Sequence, residues 1–273
     1  ALFLRAIGRE DLVARLVEGQ IGSVQLGELV VPEFRYNSHT TEFIAPVMGV
    51  PIIRNWDSGA TPSTNWFQIL QSGDVNVIAS VLSVNKAMGQ HVMEKVIPMQ
   101  KLLGIHPVKR EPGFGGRPTR YTFRDYCDPA LNHPNTQSRA EETARYTVES
   151  MLPGASLISG PVAWPPRRAA LKTAFYRPGY GRDRDKLVLI SRRHCPTLVQ
   201  SLQGGAYYPK DRSGKVDYSV EAMKRVSGLA FQELDALAYG FAEEMPADEW
   251  LQQRMAEPAP ARPAMARKSW IGI

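Results

Sequence analysis

The sequence predicts an α/β protein built around one mixed β-sheet. Three apolar runs follow one another near residues 51–57, 66–71 and 75–84, with only short turns between them. This close spacing favours antiparallel neighbours. Beyond residue 89, stretches with helical spacing of apolar residues alternate with short apolar runs, the pattern of parallel strands joined by helices. We therefore expect three antiparallel strands and then parallel strands, flanked by helices.

The length and composition are those of one folded domain with extensions. The chain has 273 residues, of which 43% are hydrophobic and 22% are charged. These fractions are ordinary for globular proteins and argue against a chain that is disordered throughout. We predict a lead-in over residues 1–36, a main domain over residues 37–250 and a flexible tail rich in Pro, Ala and Arg over residues 251–273.

The first half of the chain supplies the antiparallel strands. Residues 1–20 have the apolar spacing of a short amphipathic helix, and residues 24–34 have an extended pattern. The run 51–57 is a buried strand that stops at Ser58-Gly59, so Asp57 stands at its carboxyl end. Ser72-Gly73-Asp74 has a turn composition and joins the next two strands into a hairpin.

In the second half, helices and strands alternate. The predicted helices cover residues 89–103 and 138–152, a segment that begins near residue 165, and residues 219–244. The predicted strands cover residues 121–126, 156–159 and 187–191. The first of these strands is broken at Asp128-Pro129, so Asp128 also lies just beyond a strand.

Charge and motifs narrow the class of function. The formal net charge of +6 favours partners that carry phosphate groups. No segment matches the phosphate-binding loop Gly-x4-Gly-Lys-Ser/Thr, because Gly214-Lys215 is followed by Val216, which has no hydroxyl group for magnesium. We therefore expect no nucleotide cofactor in this chain.

The cysteines and the apolar runs bear on the compartment. Cys127 and Cys195 have apolar neighbours, which predicts buried free thiols in a reducing environment. No apolar run approaches the length that spans a membrane. We expect an intracellular protein without a membrane partner.

Three aspartates are candidate metal ligands. Asp57 and Asp128 follow strands, whereas Asp235 lies in the apolar segment Leu-Asp-Ala-Leu-Ala of residues 234–238, where a carboxylate is costly unless it is paired or bound to metal. Any one of them alone is more commonly a capping or solvated residue. Together they supply the oxygen ligands that Mg²⁺ prefers, and two such ions about 4 Å apart can activate water and stabilise the leaving oxygen of a phosphodiester.

The motifs around these aspartates resemble the carboxyl-terminal nuclease domain of phage large terminase subunits. Residues 51–59, Pro-Ile-Ile-Arg-Asn-Trp-Asp-Ser-Gly, preceded by residues 31–34, resemble its first strand segment and first acid. Residues 128–130, Asp-Pro-Ala, resemble the second acidic motif, and residues 234–239, Leu-Asp-Ala-Leu-Ala-Tyr, the third. Residues 15–19 resemble the connector, and residues 195–198 and 202–208 the stretch before the last helix, so the resemblance covers residues 15–244.

The resemblance implies a ribonuclease H-like fold and a metal-dependent endonuclease. It would cut double-stranded concatemeric DNA with little sequence specificity when packaging starts and ends. Asp57, Asp128 and Asp235 would be the catalytic residues and would bind two Mg²⁺ or Mn²⁺ ions. The nearest further acids are Asp125 and Glu233, although helical geometry points Glu233 away from Asp235.

The implied partners are those of a viral DNA-packaging motor in the host cytoplasm. Besides double-stranded DNA, they are the terminase ATPase domain on the amino-terminal side, the portal protein and the small terminase subunit. Basic side chains that are candidates to guide the DNA backbone, with a solvated surface as the alternative, are Arg117, Arg120, Arg167, Arg168, Arg192 and Arg193.

Two other functions fit the same residues. One is another ribonuclease H-like nuclease, such as a junction resolvase or a transposase, because the acidic core alone does not choose the substrate. The other is a non-catalytic docking module for DNA or for the portal, in which the acids are structural.

Overall fold

The structure, a computed structural model, describes residues 27–105, 121–133, 143–176, 188–211, 213–219, 222–225 and 231–247. The strands in these ranges are β1 (Gly27–Leu29), β2 (Thr40–Thr41), β3 (Ile52–Asp57), β4 (Ser63–Ile69), β5 (Val75–Leu82), β6 (Phe123–Cys127), β7 (Leu157–Ser159), β8 (Val188–Ser191), β9 (Ala206–Pro209) and β10 (Lys224–Arg225). The α-helices are α1 (Tyr36–His39), α2 (Met88–His91), α3 (Ile97–Leu102), α4 (Ala144–Met151), α5 (Trp164–Phe175), α6 (Pro196–Gln200) and α7 (Gln232–Glu244). π-Helical turns cover Val92–Val96, between α2 and α3, and Ser201–Gly205, after α6.

The main sheet has seven strands in the order β2-β8-β5-β4-β3-β6-β7. Strands β3, β4 and β5 form an antiparallel meander, and Gly73 takes a positive φ of 82° in the turn between β4 and β5. On one side β6 and β7 run parallel to β3, and on the other β8 and β2 run parallel to β5. The prediction of three antiparallel strands followed by parallel strands, flanked by helices, is confirmed.

Helices cover both faces of this sheet. Strand β3 is buried along its whole length, and its alternate side chains enter two separate cores. Ile53 packs in the core that contains Leu234 of α7, whereas Trp56 packs in the core that contains Val92 of the helical segment α2–α3. The helix α7 therefore lies on one face of the sheet and the segment α2–α3 on the other.

A buried ion pair joins the neighbouring parallel strands β3 and β6 on the α2–α3 face. Arg54 of β3 donates two hydrogen bonds of 2.7 Å to the carboxylate of Asp125 of β6, and the Trp56 indole donates a third of 2.9 Å. Removing either partner would leave an unpaired buried charge. Asp125, one of the acids considered for the site, thus faces away from α7 and has its own cation.

The last helix is shorter than predicted, and a small second sheet precedes it. The prediction of one helix over residues 219–244 is wrong at its start, because α7 begins at Gln232 and Lys224–Arg225 is a strand. Strand β9 pairs with β1 on one side and with β10 on the other. Met223, next to β10, is buried in the core that contains Leu234, so tertiary contacts outweigh the local helical spacing.

The predicted extensions lie largely outside the described residues. The helix expected over residues 1–20 and the tail over residues 251–273 are outside them, whereas Val30, Val31 and Phe34 of the predicted lead-in pack into the α7-side core. Cys127 and Cys195 are buried free thiols, as predicted. None of the helices in the described ranges combines the length and apolar character that a membrane crossing needs.

A candidate active site at the carboxyl edge of the sheet

Asp57 and Asp128 lie side by side at the carboxyl ends of β3 and β6. The two strands are parallel, with Trp56 opposite Cys127, so the next residue of each strand faces the other. The backbone N–H of Asp128 donates to the carbonyl oxygen of Trp56 at 2.9 Å. Because side chains alternate along a strand, both aspartates are on the α7 face, opposite the Arg54–Asp125 pair.

The Asp128 carboxylate is held by two donors from its own loop and from the end of β3. It caps the 3₁₀-helix Pro129–Asn132, accepting a hydrogen bond from the backbone N–H of Ala130 at 3.0 Å. Its other oxygen accepts one from the Ser58 hydroxyl at 3.3 Å. Helix capping is the common role of a single aspartate at such a position, and it does not require a metal. Asp128 combines this role with a position beside Asp57.

Helix α7 is fixed over the same edge by polar contacts with the sheet. The Ser63 hydroxyl donates to the carbonyl oxygen of Gln232 at 2.9 Å, and the Asn65 amide donates to that of Glu233 at 3.0 Å. Ser63 is the strand partner of Asp57. The first turn of α7, which carries Asp235, is therefore attached one strand away from Asp57.

The middle of α7 touches the sheet directly because Gly240 has no side chain. A Cβ atom at Gly240 would lie 1.9 Å from Oδ1 of Asn55, whose amide group donates to Asn65 at 2.6 Å. Farther along, the guanidinium of Arg124 is 3.0 Å from the carboxylate of Glu244 at the end of α7. The helix is thus fixed at its start, middle and end.

The charges of the three aspartates act on one another. The pKa of Asp57, a residue only 5% exposed, is raised well above its ordinary value, first by burial and then by the negative charges of Asp235 and Asp128. Burial also raises the pKa of Asp235, Arg167 opposes this rise, and Asp128 adds to it. The structure therefore brings the three predicted aspartates together at one edge of the sheet.

Arg167 of α5 is the cation in direct contact with this group. Its guanidinium forms an ion pair with the Asp235 carboxylate, and it also donates to the carbonyl oxygen of Val162 at 3.2 Å. It lies over the ring of Tyr239, 4.2 Å from its centroid, and 5.3 Å from that of Trp164. Because Asp235 and Tyr239 are one helical turn apart, the same face of α7 provides both contacts.

The three aspartate carboxylates are suitable ligands for a hard divalent cation, although they do not converge closely enough in this structure to hold one. Three carboxylates carry more negative charge than Arg167 neutralises, and carboxylate oxygens are the ligands that Mg²⁺ and Mn²⁺ prefer. Within the ranges that the structure describes, however, no three His, Cys, Asp or Glu side chains converge tightly enough to hold an ion. Asp235 is instead bound to Arg167.

The predicted DNA-contacting arginines occupy different places. Arg117 and Arg120 lie outside the described residues. Arg167 is buried at the acidic site, and Arg168 is largely buried between the rings of Tyr208 and Tyr218, where it pairs with Glu28 at 3.3 Å.

Arg192 and Arg193 remain at the surface. They follow β8, whose carboxyl end is at the same edge as Asp57, and Arg193 is exposed. Arg192 is partly exposed and pairs with Glu42 at 3.4 Å. Strand β8 is three positions from β3 in the sheet, so it lies about 14 Å from β3 across the sheet.

Glu233 points away from the aspartates, as the helical spacing predicted. Its side chain is 3% exposed, and burial raises its pKa to about 7. It neighbours Ser80 of β5, whose hydroxyl favours its charged form. It belongs to the interior beneath α7 rather than to the edge.

Two residues near the aspartates were missed in the sequence. Arg225 of β10 is exposed, lies 5.2 Å from the ring of Phe231 and lowers the pKa of Asp235 through its charge. Tyr239 carries the Arg167 guanidinium on its ring and packs against Gly160. The spacing of Asp235 and Tyr239 is the one signal in the sequence that places a residue beside the third acid.

Comparisons with known proteins point to one fold. No protein-family model and no curated protein matches the sequence. The structure is similar to that of the large terminase from a thermophilic bacteriophage, with a TM-score of 0.50, 13% identity, and coverage of 83% of this chain and 47% of that one. It also matches the P22 large terminase nuclease domain, with a TM-score of 0.48, 9% identity, and coverage of 81% and 96%.

These matches concern the fold. The chain spans about half the length of the thermophilic phage terminase, and identities this low carry no residue roles with them. The seven-stranded mixed sheet flanked by helices has the arrangement that was predicted, so the predicted fold class is confirmed, and the resemblance to a phage large terminase is confirmed at the level of fold.

Proposed function

We propose that this chain is the nuclease domain of a viral DNA-packaging motor, a metal-dependent endonuclease that cuts double-stranded DNA with little sequence specificity. The observation that carries the proposal is the meeting of Asp57, Asp128 and Asp235 at the carboxyl edge of β3 and β6. Asp57 is buried, and its pKa is raised by burial and by the two other acids. Neighbouring buried carboxylates destabilise a metal-free protein, and cations bound between them during the reaction would explain why they are there.

In this proposal the three aspartates hold Mg²⁺ or Mn²⁺, with two ions serving the reaction. The ions supply Lewis-acid charge and lower the pKa of a bound water molecule. The protein contributes position. Ser58 and the N–H of Ala130 orient the Asp128 carboxylate, and Ser63 fixes the first turn of α7 beside Asp57.

The DNA backbone would cross the carboxyl edge of the sheet. Arg192 and Arg193 at the end of β8 are the predicted basic residues that remain at the surface there. Their place on a strand about 14 Å across the sheet from β3 suits contacts with phosphates away from the cleaved bond, and such contacts carry no sequence information. Arg117 and Arg120 remain candidates for the same role.

The proposed context is a packaging motor in the host cytoplasm. The large terminase chain of the thermophilic phage is about twice as long as the part that this chain matches. We propose that an ATPase domain precedes this domain in the intact motor protein, and that the portal and the small terminase subunit are its other protein partners.

Plasmid cleavage tests the proposal. We expect Mg²⁺ or Mn²⁺ to support conversion of supercoiled plasmid to nicked and linear forms, and EDTA to abolish it, because carboxylates alone supply no strong nucleophile at neutral pH. The control variant is Asp211→Asn, which removes a carboxylate from an exposed turn outside the candidate site and should cut plasmid as wild type does. Equal cutting with and without EDTA would contradict the metal mechanism.

The same assay separates the alternatives. Selective cutting of branched DNA, with plasmid left intact, would favour a junction resolvase. If the protein binds DNA but cuts nothing with any divalent metal, it is a docking module and its aspartates are structural.

A further inference from the structure

Arg167 is unusually well fixed for an arginine beside a candidate metal site. Its side chain is only 7% exposed, and its guanidinium rests on the ring of Tyr239 and near that of Trp164. The carbonyl oxygen of Val162 accepts one of its N–H groups at 3.2 Å. These contacts come from elements on both sides of the guanidinium, so it has little freedom to swing out toward solvent or toward DNA.

Asp235 is the more exposed partner of the ion pair. Its side chain is 18% exposed, and its carboxylate is attached to Arg167. Neither Asp57 nor Asp128 forms an ion pair within the described residues. Asp128 accepts hydrogen bonds from the Ser58 hydroxyl and the Ala130 N–H, and Asp57 has a backbone hydrogen bond from Ser58 and feels the charge of Arg167 without direct contact. Asp235, the one acid of the three that lies on a helix, is therefore the one held in place by the Arg167 guanidinium.

We propose that Arg167 is a positioning residue that holds Asp235 in the metal-free protein, and that a divalent cation must compete with it for this carboxylate. The inference rests on the proposed function, because it assumes that Asp235 is a ligand. It replaces the role first predicted for Arg167, since a buried guanidinium paired with Asp235 is not available to contact a phosphate.

Arg167 therefore has two opposite effects: it stabilises the packing of α7 on the sheet, and it weakens the binding of a divalent cation. The guanidinium compensates the acidic cluster when no metal is present, and so it stabilises α7 against the sheet. The same positive charge repels an incoming cation. For a unit charge and a divalent ion about 6 Å apart, the Coulomb repulsion screened by the full dielectric constant of water already weakens the binding constant by a factor of about ten.

Two substitutions separate these effects. Arg167→Met removes the charge but keeps an apolar side chain between Tyr239 and Trp164, and Arg167→Lys keeps the charge. We expect Arg167→Met to lower the melting temperature of the metal-free protein and to tighten Mn²⁺ binding about tenfold. We expect Arg167→Lys to bind Mn²⁺ within about threefold of wild type, because the charge remains. The probe is MnCl₂ alone, titrated by calorimetry into the intact chain.

Arg124→Met is the matched control. It removes an arginine that joins the sheet to the same helix, but at Glu244, nine residues after Asp235 and so about 13 Å farther along α7. It should leave the Mn²⁺ dissociation constant unchanged. If Arg167→Met does not fold, Arg167→Gln, which can still hydrogen-bond to Val162, replaces it in the same titration.

The outcomes distinguish the inference from the proposed function. Mn²⁺ binding by Arg167→Met that is equal to or weaker than that of wild type, with wild-type binding intact, would overturn the inference alone. If neither wild type nor any variant binds Mn²⁺, the proposed metal site is wrong, and this inference with it. A residue with only a structural role would lower the melting temperature without tightening Mn²⁺ binding.

Discussion

Asp235→Asn tests the candidate site most sharply, because it removes one negative charge and changes almost nothing else. The asparagine can still accept a hydrogen bond from Arg167, so the contact between α5 and α7 keeps its hydrogen bond but loses its ion pair. A hard cation, however, loses a charged ligand. Because loss of even an outer-shell partner of a metal ligand costs about 10- to 100-fold, we expect cleavage to fall by at least about a hundredfold.

The effect on stability has the opposite sign. Burial and the neighbouring acid raise the pKa of Asp235 from 3.8 to about 6, against the opposing charge of Arg167. A raised pKa means that the stability of the protonated form is fully present below 3.8 and is lost as the pH rises through about 6. At about 1.4 kcal/mol per unit, the metal-free variant should exceed wild type by at most about 3 kcal/mol at pH 7.5, and by roughly half of that at pH 5.

Two measurements check this prediction. Cleavage is followed as loss of supercoiled plasmid with Mn²⁺, and stability as urea unfolding in EDTA at pH 5 and pH 7.5. Asp211→Asn, in an exposed turn, should leave cleavage unchanged and should lose rather than gain stability, because hydrogen bonds from Ser213 and Lys215 lower the pKa of Asp211. Wild-type cleavage by Asp235→Asn, or an unfolded variant, would show that Asp235 is a surface or structural residue.

Three further predictions follow from the geometry. Gly240→Ala should destabilise the protein by about 1–3 kcal/mol in urea unfolding and should slow cleavage, because the added methyl group forces α7 away from β3. Gly89→Ala, where the nearest atom is the Thr147 methyl group at 3.3 Å, should change stability much less. Glu233→Gln should gain stability relative to wild type as the pH rises from 4.5 to about 7, by at most about 3 kcal/mol in urea unfolding, because the wild-type pKa is raised to about 7 by burial. Arg193→Ala should weaken the binding of duplex DNA whatever its sequence and should reduce the slope of log affinity against log salt by about one, as measured by fluorescence anisotropy. Lys101→Ala, an exposed lysine of α3, should change neither.

Each of these has a clear contrary result. Wild-type stability of Gly240→Ala would mean that α7 is not packed against Asn55 as described. An advantage of Glu233→Gln that is the same at pH 5 and pH 8 would mean that Glu233 is not titrating in this window. Loss of binding to one DNA sequence only, on changing Arg193, would indicate base recognition rather than phosphate contact.

The antiparallel pairing of the first three strands and the positions of the first two acids could be predicted because both depend on local pattern. Turn residues after Asp57 and the Asp128-Pro129 break mark strand ends, and ends of parallel strands share one edge of a sheet. Asp235 was predicted from the cost of a carboxylate among apolar neighbours. Its low exposure and raised pKa agree with that reasoning.

The start of the last helix could not be predicted in the same way. Residues before Gln232 have spacing that suits a helix, but β9 presents an open edge that Lys224–Arg225 completes. Pairing between segments that are distant in sequence is invisible to a local pattern. The same limit explains why β1 and β9 were not recognised as partners.

The sequence by itself determined the class of fold, the sheet edge at which the acids gather and the residues that form it, because strand ends, turns and buried charges leave local signatures. Only the tertiary structure decided what each charge does. It placed Arg54 with Asp125 on one face of the sheet and Arg167 with Asp235 on the other, since an ion pair depends on which side chains from different elements meet on the same face. Arg167 and Arg193 look alike in sequence, but one is buried against α7 and the other is exposed beyond β8.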